Sequence, residues 1–238
     1  MDRIRFIMSL GTFVGLTAIL TPGLAFAEEG VALAIVFDTS GSMKEQVRDR
    51  DGRLSPKYVI ANRALEAIAA RLETFATHPP TGGSRKIQAG LFVFDSAGAK
   101  QAVKFGPLNA PAFRQWAHQF STPQGGTPLG TALKAASQAV LDSGLTRNHV
   151  LIITDGINTA GPDPATVMPR LKQMAEEKQS SLSVHFVAFD VNAKVFDGAK
   201  KLGATVVGAA DEAQLKNQLE FILATKILLE DEEPPKKK

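Results

Sequence analysis

Five short apolar runs punctuate the chain: Val31–Phe37, Leu91–Phe94, Val150–Ile153, Val184–Phe189 and Thr205–Val207. Each is nearly continuous rather than alternating, which is the pattern of strands buried on both faces. Between them, apolar residues recur at helical spacing. Ala61, Leu65, Ile68, Leu72 and Phe75 form one stripe, preceded by Ser55-Pro56, which reads as an N-cap with proline at the first helical position. Leu129, Leu133, Ala136 and Val140 form a second, opened by Pro128, and Val167, Leu171 and Met174 a third, opened by Asp163-Pro164. Val195, Ala199 and Leu202 predict a shorter helix, and Leu215, Leu219, Ile222 and Ile227 a closing one that begins near Asp211. Phe113, Trp116 and Phe120 fit helix packing better than a ligand box.

Strand–helix alternation predicts an α/β, doubly wound, mostly parallel central sheet with helices on both faces. One pair departs from it. Leu91–Phe94 and Ala102–Phe105 are separated only by a turn region, Ser96-Ala97-Gly98-Ala99, so they read as a hairpin with one antiparallel edge strand. Loops gather at Thr77–Ser84 and Ser121–Gly126, and no internal repeat is visible.

The N-terminus has its own pattern. Arg3 and Arg5 precede an uncharged apolar run, Phe6 to Leu20; Thr21-Pro22-Gly23 then breaks it, and Ala25-Phe26-Ala27 is an A-x-A cleavage site. Residues 1–27 therefore read as a secretory signal peptide. The run is short of the roughly 20 residues that a membrane anchor needs, and no other segment is long and apolar enough to span a bilayer. The expectation is an exported, periplasmic or extracellular protein without a membrane span after cleavage. Residues 28–229 form one domain, and residues 230–238, acidic and then Pro-Pro and three Lys, form a solvated, disordered tail.

Composition narrows the chemistry. With 27 Lys+Arg against 24 Asp+Glu the net charge is +3 over 238 residues, and no basic stripe accompanies it, so nucleic-acid binding is not expected. The absence of cysteine excludes a disulfide scaffold, a thiolate metal site and a Cys nucleophile. The four histidines show no paired metal spacing, and His149 and His185, at or within predicted strands, read as structural.

Ligands of doubly wound sheets bind beyond the carboxyl ends of the strands. There the sequence places Asp38-Thr39-Ser40-Gly41-Ser42 after the first strand, Gly125-Gly126-Thr127-Pro128 ahead of a helix, and Thr154-Asp155-Gly156 after the strand of the 150s. Asp38, Asp155, Ser40, Ser42 and Thr127 thus share one rim. All are oxygen donors, which suits a hard divalent cation such as Mg2+, Mn2+ or Ca2+, with Mg2+ the first expectation. Asp38, Ser40 and Ser42 alternate as the chain leaves the strand, Gly41 relaxes the backbone, and Gly125 and Gly126 let a second loop deliver Thr127.

This constellation, Asp38-x-Ser40-x-Ser42 with Thr127 and Asp155, resembles the metal-ion-dependent adhesion site of von Willebrand factor type A domains. The resemblance extends over roughly Gly30 to Leu228 and includes Phe186-Val187-Ala188-Phe189 followed by Gly203-Ala204. It implies a Rossmann-like sheet with one short antiparallel edge strand. It also implies that the two serines and Thr127 touch the metal directly or through water, and that an acidic group on a protein partner, an exposed Asp or Glu carboxylate, completes the shell. Thr127 is then expected to engage the ion when that ligand arrives.

One departure is the charged stretch Lys44–Ser55, longer than in many members, which reads either as a shaper of partner choice or as a solvated surface loop. Its Asp49-x-Asp51-Gly52 is no EF-hand loop, because Leu54 and Ile60 stand where Gly and Glu are required. The expected function is binding, not catalysis. An alternative is an accessory or maturation factor for a periplasmic enzyme or complex, acting in assembly or metal insertion. A remote alternative, the haloacid dehalogenase-like phosphatase, needs an acid two positions after its nucleophile, where this chain has Ser40. Neither Ser40 nor Ser42 sits in a G-x-S-x-G elbow, against a serine hydrolase.

Overall fold

The computed structural model describes residues 28–78, 86–95 and 98–228. The expected leader (1–27), the expected charged tail (230–238) and most of the loop expected at 77–84 lie outside them. Along the chain come β1 (Glu28–Phe37), β2 (Gln46–Arg48), β3 (Leu54–Pro56) and α1 (Lys57–Thr77). Then follow β4 (Ile87–Asp95), β5 (Gly98–Pro107), α2 (Ala110–Gln119), α3 (Leu129–Leu141) and β6 (Leu145–Thr154). The last third holds α4 (Pro164–Glu177), β7 (Ser181–Phe189), α5 (Asp197–Lys201), β8 (Thr205–Ala209) and α6 (Glu212–Ile222), which runs into a π-helical turn, Leu223–Ile227.

β1 is central because every residue from Val31 to Phe37 is apolar and buried. Its side chains alternate between two cores. Val31, Leu33, Ile35 and Phe37 pack with α1, α2 and α6, and Ala32, Ala34 and Val36 with α3 and α4. Burying one large apolar side chain stabilises by about 1.5–3 kcal/mol, so a strand whose seven residues from Val31 to Phe37 include no polar position belongs in the middle. The sheet order is β5-β4-β1-β6-β7-β8, parallel except for the β4–β5 pair. The fold is the expected Rossmann-like α/β sheet with one antiparallel edge strand.

Two local expectations are corrected. Ser55 does not cap α1: the helix begins at Lys57 without a side-chain cap, because the Ser55 hydroxyl is taken by Asp49 Oδ2 at 2.8 Å. The stretch Lys44–Ser55 is not simply a loop, since β2 and β3 pair antiparallel within it. Gly52, at φ +76°, makes the turn, and Asp49 Oδ1 accepts from the Asp51 and Arg53 amides. The hairpin is pinned to α6 by Glu212, which accepts the Arg50 amide and a two-pronged bond from Arg63. The helix starts expected at Asp163-Pro164 and near Asp211 are observed, and each Asp caps its helix.

His149 and His185 do lie within strands, β6 and β7, and meet Nδ1 to Nε2 at 3.2 Å in the core. Trp116 stacks on Phe120 at 4.8 Å, with Phe37 edge-on to both, so this aromatic group is packing.

Candidate metal centre

The strand that makes β1 ends at Asp38 for a physical reason: the apolar run stops, and the Asp38 amide makes one last bond to Ile153 O at 3.0 Å. Its side chain then folds back. Asp38 Oδ1 accepts from Ser40 N at 2.8 Å, an Asx turn that redirects the chain, and Gly41–Lys44 forms a single 3-10 turn. Two backbone bonds zip this loop to its neighbour, Gly41 N to Gly125 O at 3.1 Å and Gln124 N to Thr39 O at 2.8 Å. Gly41 itself has no left-handed backbone; its contribution is that amide. Gly125 does, at φ +83°. A Cβ on Gly126 would lie 2.9 Å from Thr159 Oγ1, so the missing side chain lets the second loop lie close against Thr159.

The expected residues from all three loops meet. Ser40 Oγ and Ser42 Oγ are 3.0 Å apart, and Ser42 donates to Asp155 Oδ1 at 2.8 Å. A Cβ on Gly156 would stand 3.6 Å from Thr127 Oγ1 and 3.9 Å from Ser42 Oγ, so those two hydroxyls overlook the same small space. Thr127 is held by a two-way clamp: its amide donates to Thr159 Oγ1 at 2.7 Å, and its carbonyl accepts from Thr159 N at 3.0 Å. Asp38, Ser40, Thr127 and Asp155 are buried.

Asp38 is the member of the cluster without a positive counter-charge. It is fully buried, and no Lys, Arg or His is paired with it among the described residues. Burial pushes its carboxyl up to about 6, aided by the nearby Asp155 charge and only partly opposed by bonds from Ser40 and Thr154. A cation placed among these oxygens relieves that penalty, so the donor set fits a hard divalent ion. Among the described residues no group of three or more His, Cys, Asp or Glu is arranged so that it could hold a metal ion; the set here is two carboxylates and three hydroxyls.

Three charged residues that no sequence motif marks complete the surroundings of Asp155. Lys57, only 2% exposed, contacts Asp155 Oδ2 at 3.1 Å, Glu45 Oε2 at 2.8 Å and Asp190 Oδ2 at 3.0 Å. Burial alone lowers a lysine, but the bonds to Glu45, Asp190 and Asp155 outweigh it and hold this ammonium well above its ordinary value. The available signal was a lysine in the first turn of a helix, where the dipole disfavours a cation. Thr154, donating to Asp38 Oδ2 at 2.6 Å, was also missed. Beside the hydroxyls opens a cleft of about 910 Å3, lined by Thr39, Phe94, Lys100, Trp116, Phe120 and Gly126 among others.

The sequence pattern described as the von Willebrand factor type A domain matches residues 32–220. Among solved structures, the PilB minor pilin from Streptococcus sanguinis superposes with a TM-score of 0.63 at 16% identity, covering 83% of this chain and 61% of the pilin. Proximal thread matrix protein 1 from the mussel byssus, with a zinc-occupied MIDAS motif, gives 0.57 at 19%, covering 83% and 48%. The vWF domain of the type V pili tip protein Mfa5 from Porphyromonas gingivalis gives 0.57 at 13%, covering 83% and 95%. This chain thus spans about three-fifths of the minor pilin and half of the byssus protein. At these identities the likeness is one of fold. Among curated proteins, none matches the chain.

Proposed function

The chain belongs to the von Willebrand factor type A domain family, and from that premise we propose that it is a binding protein rather than an enzyme. Asp38, Ser40, Ser42, Thr127 and Asp155 hold a divalent cation, Mg2+ first. When bound, the ion supplies a Lewis-acidic position for an acidic group on a protein partner. The observation that carries this reading is the meeting of residues from three separate loops: Asp38 bonds to the Ser40 amide, Ser40 to Ser42 and Ser42 to Asp155, and the Ser42 and Thr127 hydroxyls both lie near Gly156.

The residues have distinct tasks. Asp38 and Asp155 bring the negative charge, and each of their four oxygens already accepts a bond from Ser40 N, Thr154, Ser42 or Lys57. That fixes their orientation; the Ser42 hydroxyl spends its proton on Asp155, and the oxygen lone pairs of Ser40, Ser42 and Thr127 remain as neutral donors for an ion. Two carboxylates cancel at most the charge of the cation and do not overload it with negative charge, so an acidic ligand can replace water at an open coordination position. The adjoining cleft gives room for the segment that carries it.

Zinc in the MIDAS motif of the byssus protein and the pilus proteins among the fold neighbours support metal-linked protein binding outside the cell. The leader-like residues 1–27 support export. Among the described residues, no helix is long and apolar enough to cross a membrane. The test is capture of a partner on immobilised protein in Mg2+. The account expects release by chelator and loss of capture by Thr127→Ala, with metal binding reduced less; capture unchanged by chelator and by Thr127→Ala contradicts it.

A further inference from the structure

Lys57 stands at the first turn of α1 with its ammonium among three carboxylates, Asp155, Glu45 and Asp190. An ammonium has three donors, and here each has a separate acceptor from a separate element: the end of β6, the turn before β2 and the residue after β7. Asp190 adopts a left-handed backbone, φ +54°, uncommon outside glycine. Its amide is fixed there by Ala209 O at 2.7 Å. The two outer carboxylates are open to solvent, Glu45 at 67% and Asp190 at 40%, whereas that of Asp155 is fully enclosed.

We propose that Lys57 is the residue that sets the strength of the cation site, by sharing the charge of Asp155, and that Glu45 and Asp190 set how much is shared. This rests on the metal-binding reading above. Asp155 faces the hydroxyl cluster with Oδ1 and the ammonium with Oδ2. A positive charge on the far oxygen repels a dication at the near one. Glu45 and Asp190 in turn draw that positive charge outward. Lys57 is therefore a positioning residue: it touches no ligand and acts through Asp155.

The two ends of this arrangement give opposite results. Lys57→Met keeps the length of the side chain and removes the charge; affinity for Mg2+ alone is expected to rise about tenfold or more. Glu45→Gln with Asp190→Asn leaves the ammonium to Asp155 alone, and affinity is expected to fall by a comparable factor. A merely structural role lowers affinity in both. The experiment is calorimetric titration of chelated parent and variants with MgCl2, with thermal unfolding to check the fold. If Lys57→Met does not fold, Lys57→Gln, equally uncharged but able to keep hydrogen bonds to the carboxylates, replaces it, and its affinity for Mg2+ is again expected to rise. Unchanged or raised affinity in the double variant, or a folded Lys57→Met that binds more weakly, overturns the proposal. A parent that takes up no ion removes the reading on which it rests.

Discussion

Thr154 donates its hydroxyl to Asp38 Oδ2 at 2.6 Å, in a place where Asp38 is fully buried. The bond orients the carboxylate without neutralising it, and that has a cost in the metal-free protein. The folded carboxyl titrates near 6 and the unfolded one near 3.8. A raised acid destabilises the fold progressively as pH rises from about 4 to 6, by roughly 3 kcal/mol in all. Asp38→Asn, without metal, is therefore expected to be more stable than the parent by about 1–3 kcal/mol at pH 7 and no more stable near pH 4. Urea unfolding at the two pH values checks it; a less stable variant at pH 7 sinks the idea.

The Thr127 clamp yields a second expectation. Thr159→Ala removes the acceptor for the Thr127 amide, at a cost of about 1 kcal/mol in stability. Mg2+ affinity should drop several-fold, while Thr159→Ser, which keeps the hydroxyl, restores it. Titration of the three proteins decides; an affinity indifferent to Thr159→Ala argues that Thr127 is not held for the ion.

His149 and His185 act in the opposite sense to Asp38. Burial, first of all, lowers them to about 3 and about 4, and Arg147 and Lys226 add to it. The outer ring nitrogens, His149 Nε2 and His185 Nδ1, have no hydrogen-bond partner among the described residues. A depressed histidine contributes stability that is present above pH 6.5 and lost as pH falls below it. Each group gives at most about 1.4 kcal/mol per pH unit, and Asp38 offsets one of them below pH 6. Metal-free protein should lose about 1.4 kcal/mol between pH 6 and 5, and His185→Leu should flatten that slope. Denaturant midpoints across this range test it, and a flat parent contradicts it.

What the sequence revealed and what it hid follow from the same physics. Val31–Phe37 announced a central strand because burial on both faces leaves no polar position. Asp163 and Asp211 announced helix starts because their caps are local. Ser55 misled, because Asp49 competes for its hydroxyl within the hairpin. The hairpin was itself half legible: Asp51-Gly52 is a turn signal between Val47 and Leu54, outweighed by the charges around it. Lys57 was not legible, since its partners stand at positions 45, 155 and 190 and only the folded sheet gathers them. The five oxygen donors could be named from the sequence, but the bonds that engage all four carboxylate oxygens could not.

The central claim is that these residues hold one divalent cation. Its most direct test is calorimetric titration of the chelated protein with Mg2+, Mn2+, Ca2+ and Zn2+, with Asp38→Ala run beside it. The account expects one ion per chain for the parent, and a folded Asp38→Ala that takes up none. A parent silent to every ion, or a variant that binds as tightly as the parent, contradicts it.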